Sequence, residues 1–416
     1  MRHSREYPSV TVSDKCCRYL EGGHVWVYDA EIVSVDGAPY KSGDSTGFEN
    51  GSVVDIVSLK NRYLGTGLWS EHSKIRVRII SLNSNDQINE DFWRRRVRYA
   101  IDYRKTVMGD DFAACRLIFG EADHFPGLTV DLFGDVIVFE SLSYGIDIRK
   151  NVILPLIVDE LKKDGISIRG CYERSESDLR NKEGLLPLSG WFDNIPHSGP
   201  TETLITENGV KYIVDFENGQ KTGFFLDQKY NRHAAAKLAR GKRVLDCFTH
   251  TGSFALNCAL NGAEKVTAAD ISSTAIEAAK KNASLNGLEG KIDFCQTDVF
   301  DYLDALSDER KQLFDMIILD PPAFTKSRNT VRGAERGYRE INFKAMKLLP
   351  RGGYLATCSC SQFMTTELFR DMLTKAASDA GVELRQIESR QQSPDHPILL
   401  NVPETDYLKF FIFQVV

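Results

Sequence analysis

Residues 244–254 read V-L-D-C-F-T-H-T-G-S-F: a short apolar run ends in Asp246, a turn contains Gly252, and a second apolar segment follows. Such a run, bounded by turn residues, predicts a buried strand that leads into a helix. The same alternation continues, with strands predicted at 265–270, 292–295, 316–320 and 354–358 and helices near 253–260, 273–286 and 339–349. It indicates a doubly wound, mostly parallel α/β sheet from about Thr201 onward, after a hairpin around 217–219.

The first 200 residues have a different pattern. From Ser9 to about Leu82, short runs rich in β-branched residues alternate with Gly and Asp turns, which predicts a small β-rich domain. Further on, two strands joined by a turn at 132–135, a helix at about 148–163 and a strand at 170–174 indicate an α+β domain. Because 416 residues exceed one ordinary core, we expect three domains, at 1–85, 86–200 and 201–416.

Composition restricts the class of protein. The chain is 42% hydrophobic and 26% charged, and it contains no apolar run long enough to span a bilayer and no secretory signal. Its nine cysteines are an odd number without a C-x-x-C pair, so neither a disulfide framework nor a metal site is indicated. We therefore expect a cytoplasmic protein without metal or membrane contact. The net charge of −6 argues against non-specific coating of nucleic acid.

Local charge is less uniform than the total. Residues 93–105 are predicted to form a basic helix in which aromatic residues are interleaved with Arg94, Arg95, Arg96, Arg98, Arg104 and Lys105. One interpretation is a face that contacts phosphate groups of a substrate, with Arg95 and Arg96 as candidates. The other is a solvated linker helix whose arginines pair with carboxylates elsewhere, and the periodicity favours it.

Acidic residues follow the predicted strands where an α/β sheet binds its ligands, beyond the carboxyl ends. Asp270 lies 24 residues (270 − 246) after Asp246, close to the spacing at which a carboxylate accepts hydrogen bonds from ribose hydroxyls. Asp298 follows the third strand, where it can accept from an adenine amino group. The turn has one glycine, Gly252, and not the G-x-G-x-x-G that cradles a pyrophosphate. This favours a sulfonium nucleoside, S-adenosylmethionine, although each aspartate could also be a helix cap.

The fourth strand ends in Asp320-Pro321-Pro322-Ala323-Phe324. Two prolines fix the backbone where a flat base could lie, and Asp320 can hydrogen-bond the edge of that base.

These motifs resemble the bacterial large-subunit ribosomal RNA cytosine-C5 methyltransferases of the methyltransferase I group. The C-terminal matches are T-G-F-F-L-D-Q-K-Y-N-R from Thr222, the 244–254 stretch, D-P-P-A-F from Asp320 and S-C-S around Cys360. G-G-H-V-W-V-Y from Gly22 is similar to the start of that family's PUA domain. The runs from Arg116 and from Tyr172 are similar to its central EEHEE domain. The resemblance implies a Rossmann-like class I methyltransferase domain preceded by those two domains, an RNA substrate and a homodimer.

The resemblance also implies roles for individual residues. Its cofactor-binding set is Asp246, Phe248, Gly252, Phe254, Asp270, Ile271, Asp298, Gln228, Asn231 and Arg232. Its base-binding set is Asp320, Pro321, Pro322 and Phe324. For Gln228, Asn231 and Arg232, an ion pair or a helix cap is an equally good interpretation.

Two cysteines are candidate nucleophiles, Cys358 and Cys360. Two residues apart on a strand, they lie on the same face, so the alternation of strand residues does not show which of them is the nucleophile. The wider group of RNA cytosine methyltransferases often has T-C-S here, which selects Cys358. The closer family has S-C-S followed by a hydrophobic residue and Met-Thr, which selects Cys360 and which we prefer. Ala323 stands where many of these enzymes carry a second cysteine, and the proton acceptor stays unassigned.

Two other functions stay open at the level of sequence. A guanine-N7 methyltransferase would use similar cofactor and D-P-P segments without a nucleophilic cysteine. An RNA-binding assembly factor could retain cofactor binding without turnover, although the intact acidic positions weigh against it.

Overall fold

The computed structural model describes residues 6–308, 313–325 and 327–416, so residues 1–5 of the expected first domain lie outside the described part. The chain divides into two compact units. The N-terminal unit comprises Met1–Thr203, Val214–Phe224 and Pro394–Thr405, and the C-terminal unit comprises Leu204–Ile213, Phe225–Ser393 and Asp406–Val416. Among the described residues, no helix combines the length and the apolar character needed to cross a bilayer.

The predicted β-rich region forms one sheet with a short helix. Its elements are β1 (Ser9–Val12), α1 (Asp14–Glu21), β2 (Trp26–Tyr28), β3 (Ile32–Val35), β4 (Ala38–Pro39), β5 (Val53–Ser58), β6 (Tyr63–Trp69) and β7 (Ile75–Ser81). The strand order is β2-β7-β6-β5-β1-β3-β4, with β1 parallel to β5 and antiparallel to β3. Since alternate strand residues share a face, Val10, Val12, Val54 and Ile56 pack into one core.

The predicted α+β region forms a second sheet. Its elements are α2 (Glu90–Met108), β8 (Ala114–Phe119), β9 (Leu128–Phe133), β10 (Val136–Ser141), α3 (Tyr144–Asp147), α4 (Lys150–Lys163), β11 (Gly170–Ser175) and β12 (Leu188–Trp191). The order is β12-β11-β10-β9-β8. Strands β9 and β10 pair across the predicted turn, with Leu132 opposite Ile137. Helix α4 connects the parallel strands β10 and β11, as such a connection requires.

The prediction of a hairpin turn at residues 217–219 was wrong. The hairpin consists of β13 (Glu202–Glu207) and β14 (Val210–Asp215), which pair on either side of Asn208 and Gly209. These two residues have φ of 53° and 81°, the left-handed values that Asn-Gly adopts readily in a two-residue turn. Residues 217–219 form the next turn, in which the backbone N–H of Glu217 donates to Asp215.

The C-terminal unit contains the doubly wound sheet predicted from the strand and helix pattern. Its elements are α5 (Lys229–Ala236), β15 (Arg243–Cys247), α6 (Ser253–Leu260), β16 (Lys265–Asp270), α7 (Ser273–Leu285), β17 (Ile292–Gln296), α8 (Val299–Asp308), β18 (Met316–Leu319), α9 (Val331–Leu348), β19 (Tyr354–Ser359), α10 (Thr366–Ala380), β20 (Leu384–Arg390) and β21 (Lys409–Val415). The order is β17-β16-β15-β18-β19-β21-β20. The first five of these are parallel, and β21 is antiparallel to both of its neighbours.

Two features of this unit differ from the sequence prediction. Strands β20 and β21 were not predicted. Helix α9 begins at Val331 and not at 339, because Gly333 and Gly337 weaken the local helix signal while Ala334 and Tyr338 bury one face of the helix.

The N-terminal unit includes a segment from near the end of the chain, Pro394–Thr405, which connects β20 to β21. Within this unit the backbone N–H of Arg116 donates to Asp395 Oδ2 at 2.8 Å, and the guanidinium of Arg104 donates to the Asp395 carbonyl at 3.0 Å. Asp395 also lies 2.9 Å from His396 Nδ1, and both side chains are buried. The segment is therefore part of the N-terminal core.

Candidate active site

The turn after β15 has an unusual backbone. Phe248, His250 and Gly252 have φ of 62°, 51° and 80°. Non-glycine residues occupy this region only where the surrounding structure compensates for the strain, which is common in ligand-binding turns. At Gly252 a Cβ would lie 3.0 Å from the Cβ of Ala279, a tight contact, and the φ of 80° would strain any other residue there. The 244–254 stretch thus forms a close, largely buried turn after β15.

Asp246 lies at the base of this turn and is fully buried. Its Oδ2 accepts hydrogen bonds from Thr249 Oγ1 at 2.5 Å and from the N–H of Ala255 at 2.9 Å. Its buried Oδ1 has no hydrogen-bond partner among the described residues. Burial raises the pKa of this carboxyl to about 7, against the effect of those two hydrogen bonds. A cationic group such as an ammonium would satisfy Oδ1, so the turn fits the amino acid end of S-adenosylmethionine.

Asp270 and Asp298 follow the neighbouring strands β16 and β17. Asp270 accepts from the N–H of His250 and of Ser272, both at 2.9 Å, and thereby connects the turn to the start of α7. Asp298 accepts from the N–H of Phe300 at 2.8 Å, at the start of α8. Asp298 therefore caps α8, whereas Asp270 holds the turn before Ser272, which is the N-cap of α7. Both carboxylates lie at the carboxyl ends of their strands, where such sheets bind ligands.

Two apolar side chains of the predicted cofactor set lie in different environments. Ile271, next to Asp270, is 65% exposed. Phe254 is buried and stacks on Phe410, with ring centroids 6.0 Å apart. The Ile271 side chain is thus available to a ligand beside Asp270, whereas Phe254 supports the turn from within the core.

The D-P-P-A-F segment holds Asp320 half-buried after β18. Asp320 Oδ1 accepts hydrogen bonds from the Cys358 thiol at 2.9 Å and from Gln228 Nε2 at 3.1 Å. Burial raises the pKa of Asp320, and these two donors oppose the rise. Pro321 is buried and Pro322 is exposed, so one side of the segment is available to a substrate.

A chain of side chains supports Asp320 from behind. Gln228 Oε1 accepts from Asn231 Nδ2 at 2.7 Å, and Asn231 Oδ1 accepts from Arg390 Nε at 3.1 Å. Gln228 and Asn231, predicted to lie near the cofactor, are thus linked to the proposed base-binding carboxylate. Because the Gln228 amide is held at both ends, it fixes the orientation of Asp320.

Arg232 has different partners. Its guanidinium is fully buried and forms an ion pair with Glu207 at 2.6 Å. It also donates to the Phe225 carbonyl. These contacts connect α5 to the end of β13.

The two candidate nucleophiles differ in exposure. Cys358 is 1% exposed within β19, and burial together with Asp320 raises its pKa well above the ordinary value of a thiol. Cys360 is half-buried one residue past the end of β19, with its Sγ 4.0 Å from the Pro321 carbonyl. The structure thus places both cysteines beside the D-P-P segment, and Cys360 is the more accessible.

Tyr338 of α9 was not predicted as a site residue, yet it contacts both segments. Its hydroxyl lies 3.0 Å from Ser359 Oγ and 3.2 Å from Ser361 Oγ, on either side of Cys360. Its ring packs against Phe324 with centroids 4.6 Å apart. The S-C-S motif could have indicated such a residue. Its two serines are buried, and buried hydroxyl groups need a hydrogen-bond partner.

Lys409 at the start of β21 was also missed. Its buried Nζ donates to the carbonyls of Ser361 at 2.6 Å and Tyr407 at 2.8 Å. Burial lowers its pKa to about 8. No sequence signal indicated it, because its place opposite Ser359 depends on the antiparallel pairing of β19 with β21.

Arg95 and Arg96, the candidate phosphate contacts, lie on α2 in the N-terminal unit. Arg95 forms an ion pair with Asp86 at 2.7 Å, and Arg96 donates to the Ile80 carbonyl at 3.1 Å. Both guanidinium groups also lie within 6 Å of the centroid of the Phe92 ring, at 5.6 and 5.3 Å.

Comparisons with known proteins find relatives along nearly the whole chain. The family model for S-adenosylmethionine-dependent methyltransferases matches residues 192–413, and a PUA-like domain model matches residues 10–82. The chain is 39% identical over 402 residues to a protein of Shewanella denitrificans named ribosomal RNA large subunit methyltransferase I, covering 96% of this chain and 97% of that protein. A protein of the same name from Erwinia tasmaniensis is 36% identical over 395 residues, covering 94% and 96%.

Solved structures show the same fold over nearly the whole chain. A SAM-dependent methyltransferase structure from Streptococcus mutans superposes with a TM-score of 0.80 at 23% identity, covering 98% of this chain and 100% of that one. A methyltransferase solved in complex with SAH superposes with a TM-score of 0.81 at 22% identity and the same coverage.

Proposed function

Because the chain belongs to the ribosomal RNA large subunit methyltransferase I family, we propose that it transfers a methyl group to C5 of a cytosine in large-subunit ribosomal RNA. S-adenosylmethionine supplies an electrophilic methyl group when it is bound. The observation that carries the cytosine assignment is the half-buried Cys360 beside the D-P-P segment. A thiol in that place is needed for cytosine C5 and has no role at guanine N7.

The chemistry explains the need for a thiol. Cytosine C5 is too electron-poor to attack a methyl group directly. In the proposed reaction the Cys360 thiolate adds to C6, and the electron pair of the C5–C6 double bond then attacks the methyl carbon from C5. The methyl–sulfur bond of the sulfonium breaks in the same step, and its electron pair stays on the sulfur as a neutral thioether. A base removes the C5 proton, the double bond re-forms, and the thiolate leaves. Asp320 holds the edge of the base during these steps.

Burial and hydrogen bonding support Cys360 over Cys358 as the nucleophile. The Cys358 thiol donates to Asp320 and to the Leu319 carbonyl, and its pKa is raised, so it is poorly suited to form a thiolate. We assign Cys358 to the support of Asp320.

The cofactor residues follow from the turn geometry and the strand ends. Asp246, whose Oδ1 has no partner in the part of the chain that the structure describes, faces the amino acid end of the cofactor. Asp270 and Asp298 bind the ribose and the adenine. Phe248, Gly252, Phe254 and Ile271 complete the surface.

We further propose that the domains at 1–85 and 86–200 help to hold folded RNA. A loop or bulge is the expected target, because sequence-specific recognition of RNA needs unstacked bases. A thiolate nucleophile requires a reducing compartment, which fits the expected cytoplasmic location.

The test compares Cys360→Ala with Cys358→Ala in methyl transfer and in covalent adduct formation with RNA that contains 5-fluorocytosine. Fluorine at C5 cannot be removed as a proton, so the adduct accumulates. We expect Cys360→Ala to lose both activities and Cys358→Ala to retain the adduct.

The reverse pattern would assign the nucleophile to Cys358. If both variants transfer methyl groups at the wild-type rate, the cytosine mechanism is wrong.

A further inference from the structure

The first turns of α9 have one buried and one exposed face. Ala334 and Tyr338 face the core, whereas Arg332 and Arg336 are exposed one helical turn apart. The two arginines line a groove of about 470 Å³ together with Glu335 and Arg339.

The other charged groups of this groove have partners. Glu335 lies 3.5 Å from Lys375, and Arg339 pairs with Asp379. Within the described ranges, Arg332 and Arg336 form no ion pair. Two like charges at positions i and i+4 destabilise a helix, so the pair is unfavourable until an anion neutralises it.

This exposed face adjoins the candidate active site. Gly337, next to Arg336, approaches the ring of Phe324 so closely that a Cβ there would lie 3.3 Å from Cδ2. Tyr338 contacts both Phe324 and the serines beside Cys360. The hydroxyls of Thr325 and Thr330 lie 2.7 Å apart and connect the D-P-P segment to the start of α9.

We propose that Arg332 and Arg336 bind the phosphate backbone of the RNA strand that presents the target base. Guanidinium groups bind phosphate oxygens through paired N–H donors. If the target base of the RNA lies against Asp320, the phosphates on either side of that base lie near the D-P-P segment and the start of α9. This inference rests on the proposed function, since it assumes an RNA substrate.

The experiment compares two double variants. Arg332→Gln/Arg336→Gln removes the unpaired charges, and Arg339→Gln/Lys375→Gln removes two cations of the same unit that already have carboxylate partners. Binding of an unmodified transcript of bacterial large-subunit ribosomal RNA is measured by fluorescence anisotropy over a series of salt concentrations. S-adenosylmethionine affinity is measured as a check on the fold.

Each phosphate contact on a single strand contributes about 0.7 to the slope of log K against log salt. We expect the Arg332/Arg336 variant to lose about 1.4 from that slope, which corresponds to about 25-fold weaker binding at 0.1 M salt relative to a 1 M reference. The paired-charge variant should change the slope by less than half as much, and cofactor affinity should not change in either.

Equal slopes for wild type and the Arg332/Arg336 variant would overturn this proposal, as would equal losses in the two variants. Neither result affects the proposed function, which depends on adduct formation by Cys360. If the wild-type protein forms the adduct while the variant binds as tightly as wild type, only the phosphate surface is wrong. If the wild-type protein neither binds nor methylates the transcript, both proposals fail.

Discussion

Helices α2 and α9 both carry clustered arginines, but their environments differ. On α2 the basic side chains have protein partners: Arg94 with Glu90 and Glu160, Arg95 with Asp86, Arg96 with the Ile80 carbonyl, Arg98 with Asp102 and Asp164, Arg104 with Asp123, and Lys105 with Asp164. On α9, Arg332 and Arg336 have no ion-pair partner within the described ranges.

The carboxylates around α2 respond to this pairing. Burial acts to raise the pKa of Asp164, but hydrogen bonds from Lys105 and Arg98 hold it below its ordinary value. Glu160 is held low in the same way by Lys163 and Arg94. A paired charge attracts a distant phosphate less than an unpaired one, because the field of its partner largely cancels its own. A high density of arginine in the sequence is therefore weak evidence for a surface that binds nucleic acid. Arginines without ion-pair partners in the folded protein are stronger evidence.

The largest effect on stability is expected at the most deeply buried ion pair of α2. Arg104 is fully buried, with Asp123 at 2.5 Å and the Arg116 carbonyl at 2.8 Å. We expect Arg104→Met to lower the free energy of unfolding by about 3–5 kcal/mol, because it leaves the Asp123 carboxylate without its cationic partner and, among the described residues, with only the N–H of Phe119 as a donor. Urea denaturation followed by tryptophan fluorescence measures this in the N-terminal unit, which contains Trp26, Trp69, Trp93 and Trp191.

Arg98→Met on the same helix is the matched control. The Arg98 side chain is partly exposed, and its partners Asp164 and Glu160 keep Lys105 and Lys163 as cations, so a loss of about 1 kcal/mol or less is expected. Equal losses in the two variants would show that depth of burial does not distinguish the arginines of α2.

An intermediate effect is expected at Asp246, whose Oδ1 has no hydrogen-bond partner among the described residues. With a pKa raised to about 7 by burial, this carboxyl is largely protonated at pH 6 in the free protein. A bound ammonium group favours the ionised form. Cofactor binding should therefore release a proton near pH 6, and affinity should fall as pH drops below 7.

Asp246→Asn should weaken binding by about 1.5–3 kcal/mol and remove this pH dependence, because the amide cannot ionise. Calorimetry in two buffers of different ionisation enthalpy measures the released proton. Wild-type binding that is independent of pH between 5.5 and 7.5 would contradict the assignment of Oδ1 to a cationic group.

The smallest effect is expected for Arg95→Gln/Arg96→Gln on α2. Asp86 already neutralises Arg95, and the guanidinium of Arg96 is partly buried and donates to the Ile80 carbonyl. The salt slope for RNA binding should therefore change by less than half of the change produced by Arg332→Gln/Arg336→Gln. A slope change as large as that of the α9 variant would identify α2 as a phosphate-contacting helix.

Local signals predicted much of the C-terminal fold. Strand β16 and helix α6 have the predicted bounds, 265–270 and 253–260, because each is an apolar run closed by its own turn residues. The same reasoning failed at the start of α9, where two glycines weaken the helix signal and the core contacts of Tyr338 outweigh them. That failure concealed the arginine face next to the active site.

The sequence by itself determined the strand and helix alternation, the acidic residue at or after the end of each of the first four strands, and the two cysteines of the S-C-S region. These depend on neighbours a few positions apart, through strand and helix periodicity and turn chemistry. Only the tertiary structure decided that Cys358 is buried against Asp320 while Cys360 is accessible, and that Lys409 holds Ser361. It also decided which arginines are neutralised, since their carboxylate partners come from distant segments of the chain. Burial and charge pairing are set by what packs against a side chain, and that information is not local.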